Sequence, residues 1–432
     1  ALAAQTATYW RLMEEAGYDL AEAADAVDMI IVADQDQFGT IAKLRAARLI
    51  HARMRAAAGL PPKPVSVYAE TAWRMMTKRD PNVNMLRGTI AAFAAGVGGA
   101  DSVCLMPHTQ ANGLPDAMAR RVARNAQSIL IEEANLHRVA DPAAGSGYVE
   151  TITTELAARA WTRFQAFEAN GGLVASLRSG ELQGEIAAAR AARARDIERR
   201  KIPITGTSEF PNVAETPPKV LKAPESLGSS TEKPLALPEP DGGQLFDALV
   251  GAARLGHGVT AMAIARGVAA ETIPALVMER DAAAFEALRD AADAATQAAN
   301  GKRPTAFIAT LGTVADFTAR ATWMRNVLEA GGFLAPVGDG HPDLTALVDA
   351  FRSSGARIAV LASSDAVYAS NAHEAARALK AAGVGTLYLA GKPKDDAEIA
   401  AYRAAGVDGF IHAGQDIIAT LKAAHAAAGL GA

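Results

Sequence analysis

Apolar positions in this chain follow two rhythms: short alternating or β-branched runs, and longer stretches at three- and four-residue spacing. Residues 1–26 place Tyr9, Leu12, Met13 and Leu20 at near-helical spacing and predict one amphipathic helix. Short apolar runs follow at 29–34, 64–70 and 101–107, with helix-period segments after the first two. Strand, helix, strand at this spacing predicts parallel βα units. The first intervening helix, about 38–58, carries Lys43, Arg45, Arg48, Arg53 and Arg55, which predict a solvated face opposite Ile41, Leu44, Leu49 and Ile50. Gly59-Leu60-Pro61-Pro62 stops it. The second runs to Gly96-Val97-Gly98-Gly99 from a start at Asp80-Pro81, with Asp80 suited to cap it and Pro81 to its first position. Further helices are expected at 114–133, from Tyr148 onward and at 181–201. The last is rich in arginine, but interspersed Glu185, Asp196 and Glu198, with no interleaved aromatics, read as a solvated face rather than a nucleic-acid contact.

Polar residues collect just past the strand ends, as Gln35-Asp36-Gln37, Glu70-Thr71 and His108-Thr109-Gln110. In a (β/α)₈ TIM barrel that rim is where chemistry is done. Three strands do not close eight, and the chain begins Ala1-Leu2-Ala3-Ala4, so residues 1–206 are expected to be the C-terminal part of such a barrel in an N-terminally truncated fragment. Residues 207–243 change character. Pro211, Pro217, Pro218, Pro224, Pro234, Pro238 and Pro240 among Ser, Thr and Glu predict an extended linker. Beyond it, 245–298 is Ala-rich and helical, and strands are expected at 305–310, 333–336, 357–362, 386–389 and 409–412, each followed by a helix. Residues 244–432 therefore read as a helical segment and a doubly wound, flavodoxin-like α/β domain, whose ligands would sit at the carboxyl ends of the strands.

A chain of 432 residues allows two or three domains. A net charge of -4 gives no sign of nucleic-acid or membrane binding. No uninterrupted apolar run reaches the ~18 residues of a membrane helix, and no signal peptide is visible. The single cysteine, Cys104, cannot form an internal disulfide, which makes the cytoplasm the default compartment. Flanked by Val103 and Leu105, it is expected to be buried and inert. His108, at a strand end, is the best lone catalytic candidate. Gly256-His257-Gly258 reads as a helix break, and His341, His373, His412 and His425 lack metal-ligand spacing. Gly331-Gly332 and Gly338-Asp339-Gly340 lack a phosphate-loop fingerprint. Asp365 has the position of a phospho-acceptor, but Leu311-Gly312-Thr313 stands where the acidic pair would be needed.

Four strings in register resemble the methylmalonyl-CoA mutase family: Ala42-Lys43-Leu44-Arg45-Ala46-Ala47-Arg48, Trp73-Arg74-Met75-Met76-Thr77-Lys78-Arg79-Asp80-Pro81, Arg121-Val122-Ala123-Arg124-Asn125-Ala126-Gln127, and Asp141-Pro142 with Gly145-Ser146-Gly147-Tyr148-Val149-Glu150. The resemblance implies a barrel that binds acyl-CoA along its axis and a flavodoxin-like domain that holds adenosylcobalamin. Active members do so with an Asp-x-His-x-x-Gly loop after the first strand, its His below cobalt. Here the matching loop is Val314-Ala315-Asp316-Phe317-Thr318-Ala319, anchored by Gly312, and Val314, Asp316 and Ala319 replace all three motif residues. The family's Ser-x-Leu reads Ser363-Ser364-Asp365, and its Gly-Gly reads Ala390-Gly391 followed by Lys392. Asp365 and Lys392 put charge where an apolar cofactor tail would lie. On the strand at 64–70, the family's Thr-His-Ser-Gln-Thr-Ser reads Val67-Tyr68-Ala69-Glu70-Thr71-Ala72. The strand bearing the family's substrate-binding His lies before residue 1.

Small subunits of this family keep both domains, lose both sites and pair with a catalytic large subunit, and the chain resembles these. The resemblance implies a structural partner without catalytic, cofactor-binding or metal residues of its own. Adenosylcobalamin and acyl-CoA would be bound by the large subunit, in a complex that interconverts (R)-methylmalonyl-CoA and succinyl-CoA. Two other readings stay open: that the chain is itself a mutase binding cobalamin weakly, and that its flavodoxin-like domain is an independent ligand-binding module.

Overall fold

A computed structural model of the chain describes residues 1–222, 235–238, 243–265 and 272–430. Strands β1 (Met29–Ala33), β2 (Val67–Thr71) and β3 (Ser102–Cys104) form a parallel sheet in the order β1-β2-β3. The alternation seen in the sequence sorts its two faces. Met29, Ile31, Ala33, Val67 and Ala69 pack in one core with Leu44 and Ala47 of the helix Gln37–Ala57 and with Ala91 and Ala95 of the helix Val83–Val97. The opposite face is open, and register lines up Ile30, Tyr68 and Ser102, then Val32, Glu70 and Cys104. Cys104 is therefore exposed, not buried as its apolar neighbours predicted. Val103 and Leu105 point to the other side, and flanking residues in a strand report the wrong face.

Helices before and between these strands differ from expectation in instructive places. Residues 1–26 are two helices, Leu2–Glu15 and Leu20–Asp25, broken at Gly17, whose φ is 91°. The buried side is Ala3, Ala4, Ala7 and Trp10, while Tyr9 and Leu12 are exposed. Asp80 does not cap the helix Val83–Val97; it sits at φ 45°, its backbone N–H donating to Glu215 Oε2 at 2.8 Å. The basic side of Gln37–Ala57 is not a solvated face. Arg55 is buried on Asp25 and the Pro61 carbonyl, and Arg48 donates to the carbonyls of Val65 and Gly99. Arg45 forks onto Asp141 at 2.9 Å and Glu150 at 2.8 Å, tying this helix to Gly147–Ala169. The helix expected at 114–133 begins at Ala117, because Leu114–Pro115 is β4 and pairs antiparallel with β5 (Val220–Leu221).

A second parallel sheet contains β6 (Ala306–Thr310), β7 (Ile358–Ala362), β8 (Thr386–Ala390) and β9 (Gly409–Ile411) in the order β6-β7-β8-β9. The run expected at 333–336 shrinks to one parallel bridge between Leu334 and Thr305 on the free edge of β6. Pro336 lacks the N–H that would continue that ladder. All five residues of β7 are buried, because helices cover both faces. One side packs Ile308, Val360 and Ile411 on Met324, Leu328 and Leu421, and the other packs Ala309, Leu361 and Leu389 on Leu347, Leu379 and Tyr402.

Residues 1–221 and 277–432 form one compact unit, and 222–276 a second, small one that includes the helices Gln244–Arg254 and Val259–Ala265. Of the Pro-rich stretch, Pro224, Pro234 and Pro240 lie outside the described residues. Its first part is packed: Thr207 and Ser208 are buried, and Glu215 reaches Arg79 at 3.4 Å and Arg289 at 3.2 Å. Arg79 also pairs with Asp290 at 2.5 Å and Asp293 at 2.7 Å, both on the helix Ala283–Ala298. This network joins the parts of the larger unit that carry the two sheets.

Candidate functional site

Two regions lie at the carboxyl ends of parallel strands, where ligands of α/β folds bind. The first is the end of β6 and β7. The chain leaves β6 through Leu311 and Gly312 and enters the helix Val314–Ala330 at once. Thr313 and Asp316 form a capping box: the Thr313 N–H and Oγ1 donate to Asp316 Oδ2 at 2.9 and 2.7 Å. Ser364 Oγ lies 3.4 Å from the other carboxylate oxygen. These Thr313 donors hold the Asp316 carboxyl below the usual carboxylate range. Gly312 has φ 80°, and a Cβ there would sit 2.9 Å from Asp316 Oδ2, so a side chain is excluded twice over.

Across the strand ends the gap is laced. Ser363 Oγ donates to the Leu311 carbonyl at 2.7 Å. The buried Tyr368 hydroxyl accepts the Ser363 N–H at 3.0 Å and lies 2.9 Å from the carbonyls of Leu361 and Ala390. Burial pushes its pKa up to about 12. Arg320 lies over the Tyr368 ring at 5.0 Å, donates to the Ser363 carbonyl at 2.6 Å and pairs with Asp365 at 2.5 Å. Val314 and Lys392 are exposed, Ala390 is buried, and Gly391 donates its N–H to the Ile411 carbonyl. Of the positions singled out in sequence, Asp316, Ser363, Asp365 and Ala390 are brought together. Tyr368 and Arg320 tie them and were missed, because an aromatic and a cation on helices carry no motif.

The second region is the rim of β1 and β2. Asp34 is buried and pairs with Arg74, and the Asp36 N–H donates to Asp34 Oδ1 at 3.1 Å. Burial holds the nearby Lys43 ammonium below its ordinary value, against the pull of Asp34. Asp36 caps the helix Gln37–Ala57 through the Gly39 N–H. Glu70 is exposed, whereas Thr71 is buried and accepts the Met106 N–H. His108 is half-buried with Nδ1 unpartnered, and burial lowers its pKa. The Cys104 thiol and His108 belong to different surroundings: Cys104 lies on the open sheet face, and His108, past the same strand end, lies among Asn84, Leu105 and Val122. A cavity of about 500 Å³ opens beside this rim, between Val32, Trp73 and Arg74, the helix Glu181–Glu198 and residues 277–281. Among the described residues, no three His, Cys, Asp or Glu are placed to hold a metal ion, and no helix is long and apolar enough to cross a membrane.

Parallel sheets flanked by helices, with polar groups at their carboxyl ends, define an α/β protein of the kind that presents small-molecule sites at strand ends. A family profile described as "Methylmalonyl-CoA mutase" matches residues 1–236. The chain belongs to the methylmalonyl-CoA mutase family. It is 41% identical over 96% of its length to the methylmalonyl-CoA mutase small subunit of Streptomyces virginiae, covering 58% of that protein. The small subunit of Propionibacterium freudenreichii subsp. shermanii is 36% identical over 96% of the chain, again with 58% of the relative covered. The large subunit of the same organism is 31% identical over 52% of the chain and 31% of its own length. The chain thus spans a little over half the length of the small subunits it matches.

Proposed function

We propose that this chain is the non-catalytic small subunit of a heteromeric methylmalonyl-CoA mutase, working in the cytoplasm as a structural support for a homologous large subunit. Its residues 1–206 correspond to part of a (β/α)₈ barrel, 207–243 to a linker whose first part is packed into the larger unit, and 244–432 to a helical segment with a flavodoxin-like domain. The bridge of Leu334 to Thr305 supports that last assignment, since it extends the order β6-β7-β8-β9 on the side a flavodoxin-like sheet requires.

One observation carries the non-catalytic reading: the Asp316 carboxylate is spent on starting a helix. Adenosylcobalamin does not fit the residues at this strand end. Asp316 offers no imidazole nitrogen, and its oxygens are engaged by Thr313 and Ser364. At the ends of β7 and β8 the Tyr368 hydroxyl lies 2.9 Å from the carbonyls of Leu361 and Ala390, and Arg320 and Asp365 put charge where the family resemblance would place a cofactor tail. The family reaction, (R)-methylmalonyl-CoA to succinyl-CoA, then belongs to the large subunit, which binds both acyl-CoA and cofactor.

The test titrates full-length protein with adenosylcobalamin, with and without its large subunit, and follows corrinoid absorbance and large-subunit stability. Corrinoid uptake only when the large subunit is present, together with stabilisation of that subunit by this chain, supports the proposal. Stoichiometric corrinoid on this chain alone, or a large subunit equally stable and active without it, overturns it.

A further inference from the structure

The cavity beside the β1–β2 rim is not absorbed by a supporting role. Its volume, about 500 Å³, lies in the range of small-molecule sites. Val32, Ile186, Val277, Met278 and Ile418 line it, and Val277 and Met278 stand 66% and 76% exposed. Four arginines also reach it, and three are already engaged. Arg74 is held by Asp34, Arg280 by Glu286, and Arg190 by the Val277 carbonyl and Glu279. Arg193 has no hydrogen bond or ion pair to any described residue; the Asp281 carboxyl is its electrostatic neighbour.

We propose that this cavity binds one amphipathic monocarboxylate, its head on Arg193 and its alkyl chain along Val277, Met278 and Ile418. A single uncommitted guanidinium selects one negative charge. Glu198 and Asp281 also line the cavity, so repulsion grows with the ligand's charge and disfavours a phosphate dianion or a nucleotide thioester more than a monoanion. The apolar wall then covers surface that the folded chain otherwise leaves in water. This site is independent of the subunit reading.

The test is calorimetric titration of the full-length protein, in complex with its large subunit where the two co-purify, using decanoate, decanol and decyl phosphate. One saturable decanoate site per chain is expected, with decanol about tenfold weaker or worse through loss of a charged hydrogen bond, and decyl phosphate weaker through repulsion by Glu198 and Asp281. Arg193→Met should weaken decanoate by about tenfold without moving the thermal midpoint. Ala189→Trp, which fills the cavity from an exposed position, should abolish binding. Absence of saturable decanoate binding overturns the proposal. So does decanol or decyl phosphate binding as tightly as decanoate, or decanoate affinity that neither substitution changes.

Discussion

Replacing Glu215 by alanine is expected to cost about 3–5 kcal/mol of folding stability, the range for a buried ion pair broken from one side. Arg289 is fully buried at 0% exposure, and its Nη2 donates to Glu215 Oε1 at 3.2 Å and to the Asn212 carbonyl at 2.8 Å. Its Nε and Nη1 have no partner, and burial followed by the nearness of Arg79 lowers its pKa. Without Glu215 the guanidinium keeps one hydrogen-bond acceptor, the Asn212 carbonyl, with Asp293 as the remaining carboxylate nearby, and the Asp80 N–H loses its acceptor as well. Arg79 is not stranded, since Asp290 and Asp293 remain, so the loss concentrates on Arg289. Glu215→Gln keeps an acceptor and removes only the charge, at about 1–3 kcal/mol. The double variant Glu215→Ala/Arg289→Met removes the stranded cation and should recover at least about 2 kcal/mol of the single loss. Urea is the suitable denaturant because guanidinium salts screen ion pairs, with unfolding followed by tryptophan fluorescence. A Glu215→Ala midpoint within about 1 kcal/mol of the parent, or a double variant no better than the single, would refute the reasoning.

Tyr368→Phe should cost about 1–3 kcal/mol, because the buried Ser363 N–H loses its acceptor; an unchanged urea midpoint would mean that water replaces the hydroxyl. Gly312→Ala should cost about 1–3 kcal/mol through its left-handed backbone and the contact with Asp316, read as a lowered thermal midpoint. Stability should fall as the pH drops from 7 toward 5.5. His51, His108, His341 and His425 all have folded-state pKa values lowered by burial, so the unfolded chain binds protons first, near its ordinary value of about 6.5. Asp281 and Glu329, raised by burial, act with the opposite sign at more acid pH. His425→Gln should flatten the slope of unfolding free energy against pH between 7 and 5.5, and an identical slope would count against this account.

Legibility in the sequence followed the range of the interaction. β6 to β9 could be read from their apolar runs because strands buried on both faces need no partner's identity to be recognised. What Asp316 does was not read, although Thr313 three residues earlier spells a capping box. The arginines of Gln37–Ala57 misled because helical periodicity reports which side faces away from one core, and Asp25, Asp141 and Glu150 lie on other elements. Glu215 was hidden by its neighbours: a stretch rich in proline looks like a tether, and nothing local reveals that one of its carboxylates meets two arginines.

The capping box at the end of β6 also makes the present state hard to leave by small steps. Any substitution that put an imidazole at position 316 would first remove the acceptor of both Thr313 donors and loosen the start of the helix Val314–Ala330. That first step would cost stability through the lost cap. Folding alone therefore gives a reason for a carboxylate at this position, with no appeal to chemistry.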